Sequence, residues 1–173
     1  MVAERYHIKF DSLKRTHRQP CYNRAAITTT SPNVTKVDFY TGSKDKLRTA
    51  CQLSHKAMQN GVRTVISTPD SATRDALEKL LWHYPATAFI PHCRSDAEEA
   101  LHTPVVLNHG SEKFPHHELL ISLHGECMPF FSRFERVIEI ISHDEEDSRM
   151  GRERYKFYKD RGYEMRHIDL TGG

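Results

Sequence analysis

The chain has 173 residues, 38% hydrophobic and 28% charged, with a formal net charge of +2; this is the make-up of one soluble globular domain with a core of its own. No apolar run approaches a membrane span and the N-terminus lacks the apolar stretch of a secretory signal. A net charge this small does not by itself mark a nucleic-acid binder.

Residues 1–34 differ from the rest. They hold six Lys/Arg (Arg5, Lys9, Lys14, Arg15, Arg18, Arg24) against Glu4 and Asp11, a local excess of four that leaves the remaining residues at −2. They are hydroxyl-rich and show no sustained period. An organelle transit peptide or a DNA-binding arm has this composition. The plainer readings are a disordered basic tail or a start site placed too early, with the protein opening at Val34 on the strand that follows. We therefore assign residues 35–173 to a single α/β domain.

From residue 36 the periods alternate. Lys36 to Tyr40 is a short β-rich run ending at Thr41-Gly42-Ser43. Residues 44–60 place Leu47, Ala50, Cys51, Ala57 and Met58 on one helical stripe, and Asn60-Gly61 closes that helix. Val62 to Thr68 is a second strand. Pro69-Asp70-Ser71 turns into a second helix with Ala72, Ala76, Leu77, Leu80 and Leu81 inward. β-α-β-α of this kind implies a parallel sheet with crossover helices on its faces. Residues 91–118 are looser, with three prolines and five histidines, and Thr103 to Leu107 reads as a short strand. Glu118 to Leu123 and Val137 to Ile141 are nearly continuous apolar runs, the mark of strands buried on both faces. Residues 129–136 read as a short helix, 144–161 as a charged helix, and Tyr163 to Leu170 as a last strand. The expected fold class is a three-layer, Rossmann-like α/β domain, its mostly parallel sheet of five or six strands covered by about four helices on both faces.

Most site chemistries are missing. The first strand–helix turn, Tyr40-Thr41-Gly42-Ser43-Lys44, carries one glycine, so it is neither a dinucleotide fingerprint nor a P-loop, both of which need spaced glycines for backbone approach to phosphate. The four cysteines (Cys21, Cys51, Cys93, Cys127) form no C-x-x-C pair, and reduced thiols in a cytoplasmic protein are expected. His116-His117 point to different sides of any regular element, so the twelve histidines read as solvated loop residues, with no metal and no cofactor expected. No nucleophile elbow or catalytic carboxylate set is present. A small Rossmann-like hydrolase or transferase and a direct single-stranded DNA binder remain as alternatives to a binding protein.

Two segments are more informative. In Leu81-Trp82-His83-Tyr84-Pro85-Ala86-Thr87-Ala88-Phe89-Ile90-Pro91-His92 the single tryptophan closes a helix and Phe89 follows in a Pro-bounded stretch; both are either core or an aromatic docking patch. In residues 144–161 the acids lead and the bases follow, as the helix dipole favours. Met150, Phe157 and Tyr158 share one face, while Arg149, Arg152, Lys156 and Lys159 share another, with Tyr155 at its border. Such a stripe is either a solvated face or a site for an acidic peptide.

Trp82, Pro85 and Phe89-Ile90-Pro91-His92, then Leu120-Ile121-Ser122-Leu123, Phe134 with Val137-Ile138-Glu139, Arg152-Glu153-Arg154-Tyr155-Lys156-Phe157-Tyr158 and Gly162-Tyr163 together resemble the chi subunit of bacterial DNA polymerase III, in order and approximate spacing over residues 36–165. The resemblance implies a non-catalytic accessory subunit with a Rossmann-like fold and no nucleotide. It implies a heterodimer with the psi subunit of the clamp loader, through aromatics matching Trp82 and Phe89. It implies a separate site for the acidic C-terminal tail of single-stranded DNA-binding protein, using Arg152, Tyr155 and Ile141, with Lys156 beside them. A lysine of the family's site falls at Ser148, and Arg149 next to it is the candidate replacement. A helicase-like repair protein is a further implied partner for the aromatic surface, and contact with nucleic acid is then mainly indirect. On this reading the first 34 residues are dispensable for stability: a chain starting at residue 35 is expected to melt at the temperature of the full protein, and a clear drop in the midpoint would show that the segment packs on the domain.

Overall fold

The computed structural model describes residues 35–84 and 89–171; the basic segment 1–34 and residues 85–88 and 172–173 lie outside the described residues. The described chain runs β1 (Lys36–Ser43), α1 (Lys46–Gln59), β2 (Thr64–Ser67), α2 (Ser71–His83), β3 (His92–Arg94), β4 (Val105–Asn108), β5 (Leu119–Ser122), β6 (Arg136–Ser142), α3 (Glu145–Asp160) and β7 (Glu164–Asp169), with 3-10 turns at Glu98–Leu101 and Phe131–Arg133. The seven strands form one sheet in the order β3-β4-β2-β5-β6-β1-β7, and every pairing is parallel. The expected class is thus observed, with the sheet parallel throughout.

Period-two alternation decides which residue faces which layer. Tyr40, Ile66, Leu107, Leu119, Ile121, Ile138 and Ile140 pack against Ala50, Leu53 and Ala57 of α1 and Leu77 and Leu81 of α2. On the opposite face Val37, Phe39, Val65, Val106, Leu120, Val137 and Ile141 meet Tyr158 of α3 with Phe131 and Phe134. Each helix opens on an aspartate whose carboxylate accepts an amide three residues on: Asp45 from Arg48 at 3.1 Å, Asp70 from Thr73 at 2.6 Å and Asp144 from Asp147 at 3.0 Å, which satisfies donors the helix cannot. After α1, Gly61 takes φ +71°, a left-handed conformation that glycine adopts without strain and that stops the helix as expected.

Several expectations are corrected. Ala72 and Ala76 are exposed, and α2 buries only Leu77 and Leu81, with Leu80 partly buried beside them. The anticipated helix at 129–136 is a single 3-10 turn, since β6 already begins at Arg136. Residues 92–94 form a strand that no apolar period announces. Cys51 is a buried small residue in α1, as anticipated, and burial pushes its thiol up to about 12.

His116 is the main departure from the surface reading of the histidines: it is 3% exposed, just before β5. Burial, with Arg63 adding to it, outweighs the nearby Glu118 and pushes the imidazole down to about 4. The native state therefore keeps the ring neutral while the unfolded chain protonates it below about 6.5, so this contribution to stability is present above that pH and is lost as the pH falls toward 4. His116→Leu removes the effect. Between pH 7.5 and pH 5 the unfolding free energy of the wild type, minus that of the variant, is expected to fall by about 2 kcal/mol; other titrating groups cancel in that difference. A flat difference in urea denaturation would show that His116 is not buried neutral.

Candidate partner-binding surfaces

α3 is amphipathic in an unusual way. Its buried stripe is Asp147, Gly151, Arg154 and Tyr158, spaced as one helical face requires, and two of the four are charged. Met150 and Phe157, expected on this face, are only partly buried at its flanks. Each buried charge has partners. Asp147 sits at the first turn: burial opposes its charge, but the Ser142 amide, the Lys46 ammonium and the Ser142 hydroxyl hold its carboxyl below the usual range. The Lys46 Nζ lies 3.0 Å from Asp147 Oδ2, which ties the start of α1 to the start of α3 across the C-terminal edge of the sheet.

Arg154 faces β6. Its Nε donates to Glu139 Oε2 at 3.1 Å, its Nη1 donates to the Gly125 carbonyl, and the Tyr158 hydroxyl donates to Glu139 Oε1 at 2.9 Å. Arg154 is 3% and Glu139 1% exposed. Burial pushes the Glu139 carboxyl up to about 7 against the pull of Arg154 and Tyr158, and burial together with Glu139 raises the Tyr158 phenol well above its ordinary value. One turn earlier, Gly151 lets the helix lie directly on β6: a Cβ there would come within 2.4 Å of Ile141 Cδ1.

This seating leaves a cavity of about 270 Å³ between α3 and the edge of the sheet, lined by Phe39, Thr41, Ile141, Ser148, Gly151, Arg152, Tyr155 and His167. Arg152, Tyr155 and Ile141 are thus brought together. The Tyr155 ring stands edge-on to Phe39 at 5.2 Å between centroids, so an apolar floor lies under a phenol and a guanidinium. Lys156 and Arg149 are exposed outside the lining. Arg149 is held by neighbours on its own helix, with nitrogens 2.6 Å from carboxylate oxygens of both Glu146 and Glu153, which largely neutralises that end of the basic stripe. Ser148 lines the cavity but turns its hydroxyl to the Ser142 carbonyl at 3.3 Å. Phe39, Thr41 and His167 were not anticipated here. The signal was the strand alternation, which puts 37, 39 and 41 on the face that α3 covers.

A second surface lies at the other end of the sheet. Trp82 is 57% and Phe89 65% exposed, with ring centroids 5.8 Å apart. His92 meets Trp82 edge-on at 4.9 Å, and its Nδ1 is 2.7 Å from the Ile90 carbonyl. Leu81 and Ile90, the neighbours of the two aromatics, are buried at 1% and 0%. The rings are therefore outside the core while the backbone that presents them is anchored in it. β3 and β7 are the two edges of a seven-stranded sheet, so the aromatic patch, beside β3, and the cavity, lined from β6, β1 and β7, lie toward opposite edges of it. Among the described residues no group of three or more His, Cys, Asp or Glu side chains is placed to hold a metal ion, and no helix is long and apolar enough to cross a membrane.

Residues 34–166 match the family described as DNA polymerase III chi subunit, HolC. The chain is 36% identical over 136 residues to DNA polymerase III subunit chi of Pseudomonas aeruginosa, covering 76% of this chain and 94% of that one. It is 25% identical over 116 residues to the Escherichia coli protein of the same name, covering 66% of this chain and 79% of that one. The Haemophilus influenzae protein of that name is 26% identical over 117 residues, covering 67% and 81%. Among solved structures, Saccharomyces cerevisiae Dbp5 bound to RNA and ADP BeF3 superposes with a TM-score of 0.56 at 10% identity, covering 80% of this chain and 42% of that one; at that identity the likeness is one of fold.

Removing one member of the buried pair leaves the other charged and without its partner in a site that water does not reach. At pH 8, Glu139→Ala is expected to lower the unfolding free energy by about 3–5 kcal/mol. Replacing both members by apolar residues, Glu139→Leu with Arg154→Met, is expected to recover most of that loss. A double variant no more stable than the single one would show that the pair supports the fold by more than mutual compensation.

Proposed function

We propose that this chain, which belongs to the DNA polymerase III chi subunit family, is a non-catalytic adaptor that joins the clamp loader, through the psi subunit, to the acidic C-terminal tail of single-stranded DNA-binding protein. The observation that carries the reading is the convergence of Arg152, Tyr155 and Ile141 on one cavity with Phe39 beneath them. An acidic peptide that ends in an apolar residue presents two things at its terminus, an apolar side chain and a free carboxylate. The cavity offers a match for each. Ile141 and Phe39 are buried at its base and Tyr155 walls it, which suits the side chain. The Arg152 guanidinium at the mouth suits the carboxylate, since its planar fork forms two parallel hydrogen bonds with such a group. Lys156 lies outside the lining, where it adds long-range attraction for the acidic stretch that precedes the terminus; Arg149, paired with Glu146 and Glu153, adds little.

The psi subunit is assigned to the Trp82–Phe89 patch, which has the composition of an interface centre; a helicase-like repair protein would compete for the same rings. On this reading the adaptor performs no bond chemistry. Holding two partners toward opposite edges of one sheet raises the local concentration of polymerase machinery at coated template.

The two surfaces are separable by mutation. Arg152→Ala is expected to weaken binding of the acidic peptide by about 2 kcal/mol or more, on the order of thirtyfold, and to leave psi association intact. Phe89→Ala is expected to do the reverse with an unchanged circular dichroism spectrum. Calorimetric titration of each variant with each partner gives four affinities. Wild-type peptide affinity in Arg152→Ala removes Arg152 from the site, and wild-type psi affinity in Phe89→Ala removes Phe89 from the patch.

A further inference from the structure

The cavity has a second wall that the assignment above leaves unused. Arg152 comes from α3, but the facing side is built by strands. His167 on β7 is the register partner of Phe39 on β1, so its side chain lies on the same face as Phe39, toward α3. Its Nε2 lies 2.7 Å from Thr41 Oγ1, and both residues line the cavity. Of the eight lining residues, only Arg152 and His167 carry side-chain nitrogens. The neighbouring acid is engaged elsewhere: Asp169 Oδ1 accepts from the Thr171 amide at 2.8 Å and from its hydroxyl at 2.7 Å.

We propose that His167, oriented by Thr41, is a specificity-determining residue that reads the terminal carboxylate of the bound acidic peptide from the side opposite Arg152. This rests on the peptide-binding reading of the cavity. When the Thr41 hydroxyl donates to Nε2, the ring proton resides on Nδ1 and is free to be offered to a ligand; a ring held on one side is also pre-organised for that donation. A carboxylate has two oxygens and accepts from two directions. With Arg152 alone, a terminal amide oxygen satisfies part of the same fork. A donor on the opposite wall favours the free acid, because the amide nitrogen of an amidated terminus has no acceptor capacity to meet it.

The test uses the full chain and a synthetic acidic peptide ending in phenylalanine, prepared as the free acid and as the terminal amide, in calorimetric titrations. His167 is exposed, so His167→Ala is expected to keep the wild-type melting temperature. It should weaken the free acid about fivefold, the worth of one hydrogen bond, and leave the amide unchanged, so that the acid-to-amide preference falls by the same factor. Thr41→Val, which removes the orienting hydroxyl and keeps the ring, should lower that preference in part. Equal weakening of both peptides by His167→Ala, or no weakening of either, overturns the proposal. Arg152→Ala separates this result from the parent reading. If Arg152→Ala weakens the acid and His167→Ala does not, the cavity binds the peptide without His167. If His167→Ala alone acts, the strand wall and not the helix reads the carboxylate. If neither acts, both readings fall.

Discussion

Glu139 stands in the middle of the apolar run Val137–Ile141, with its side chain 1% exposed. Arg154 and Tyr158 meet it there, from successive turns of the helix above. A buried charge without these partners costs several kcal/mol, so the helix has one seating at which the cost is met and none a turn away. Apolar contacts alone tolerate sliding; a guanidinium, a phenol and a carboxylate do not. Gly151 then brings the helix into contact with Ile141, and the Asp147–Lys46 contact fixes its first turn. The cavity follows from these three restraints. Arg152 and Tyr155 face outward because Gly151 and Arg154, their neighbours, face inward.

β1 receives a matching restraint on the other face. Asp38, 1% exposed, accepts from Arg166 Nε at 2.8 Å and Nη2 at 2.7 Å, and Arg136 Nε lies 3.6 Å from it. One carboxylate thereby gathers β6, β1 and β7, the three strands that carry Ile141, Phe39, Thr41 and His167. The strand wall of the cavity is thus held by contacts outside it. The aromatic surface is built by a different logic: Trp82 and Phe89 are exposed beside Leu81 and Ile90, which are buried. Each surface is thereby supported by its own part of the core, so a change at one is not transmitted to the other.

Much of the architecture is legible in the residues. Continuous apolar runs such as Leu119-Leu120-Ile121 reveal strands covered on both faces, and the Asp-led helices announce their own starts. β3 is not legible, because three residues with a histidine and an arginine carry no period that a propensity can register. The candidate site is half legible. Arg152 and Tyr155 stand out as a pair at i and i+3, but His167 joins them only through strand register, which no local pattern encodes. Arg154 is not legible within its helix: the clue to its burial lies fifteen positions earlier, in the lone acid of Val137-Ile138-Glu139-Ile140-Ile141. Local reading weighs each residue against its neighbours; the physical reason for Arg154 is a partner on another element.

The position of β1 has a consequence for how the protein is made. The first strand of the sheet is hydrogen-bonded to β6 and β7, the last two to leave the ribosome. Between β1 and its partners lie some hundred residues that include every other strand. The sheet β3-β4-β2-β5 has the means to assemble while synthesis continues, but β1 has no edge to join until β6 has emerged, and no second neighbour until β7 follows. The nascent chain therefore carries Val37-Asp38-Phe39-Tyr40, two large aromatics and an uncompensated acid, unsheltered for most of its elongation. Insertion of this strand between two others completes the domain in a single late step. Phe39 and Thr41 become the floor of the cavity in that same step, so a chain that has not finished folding has no cavity at all.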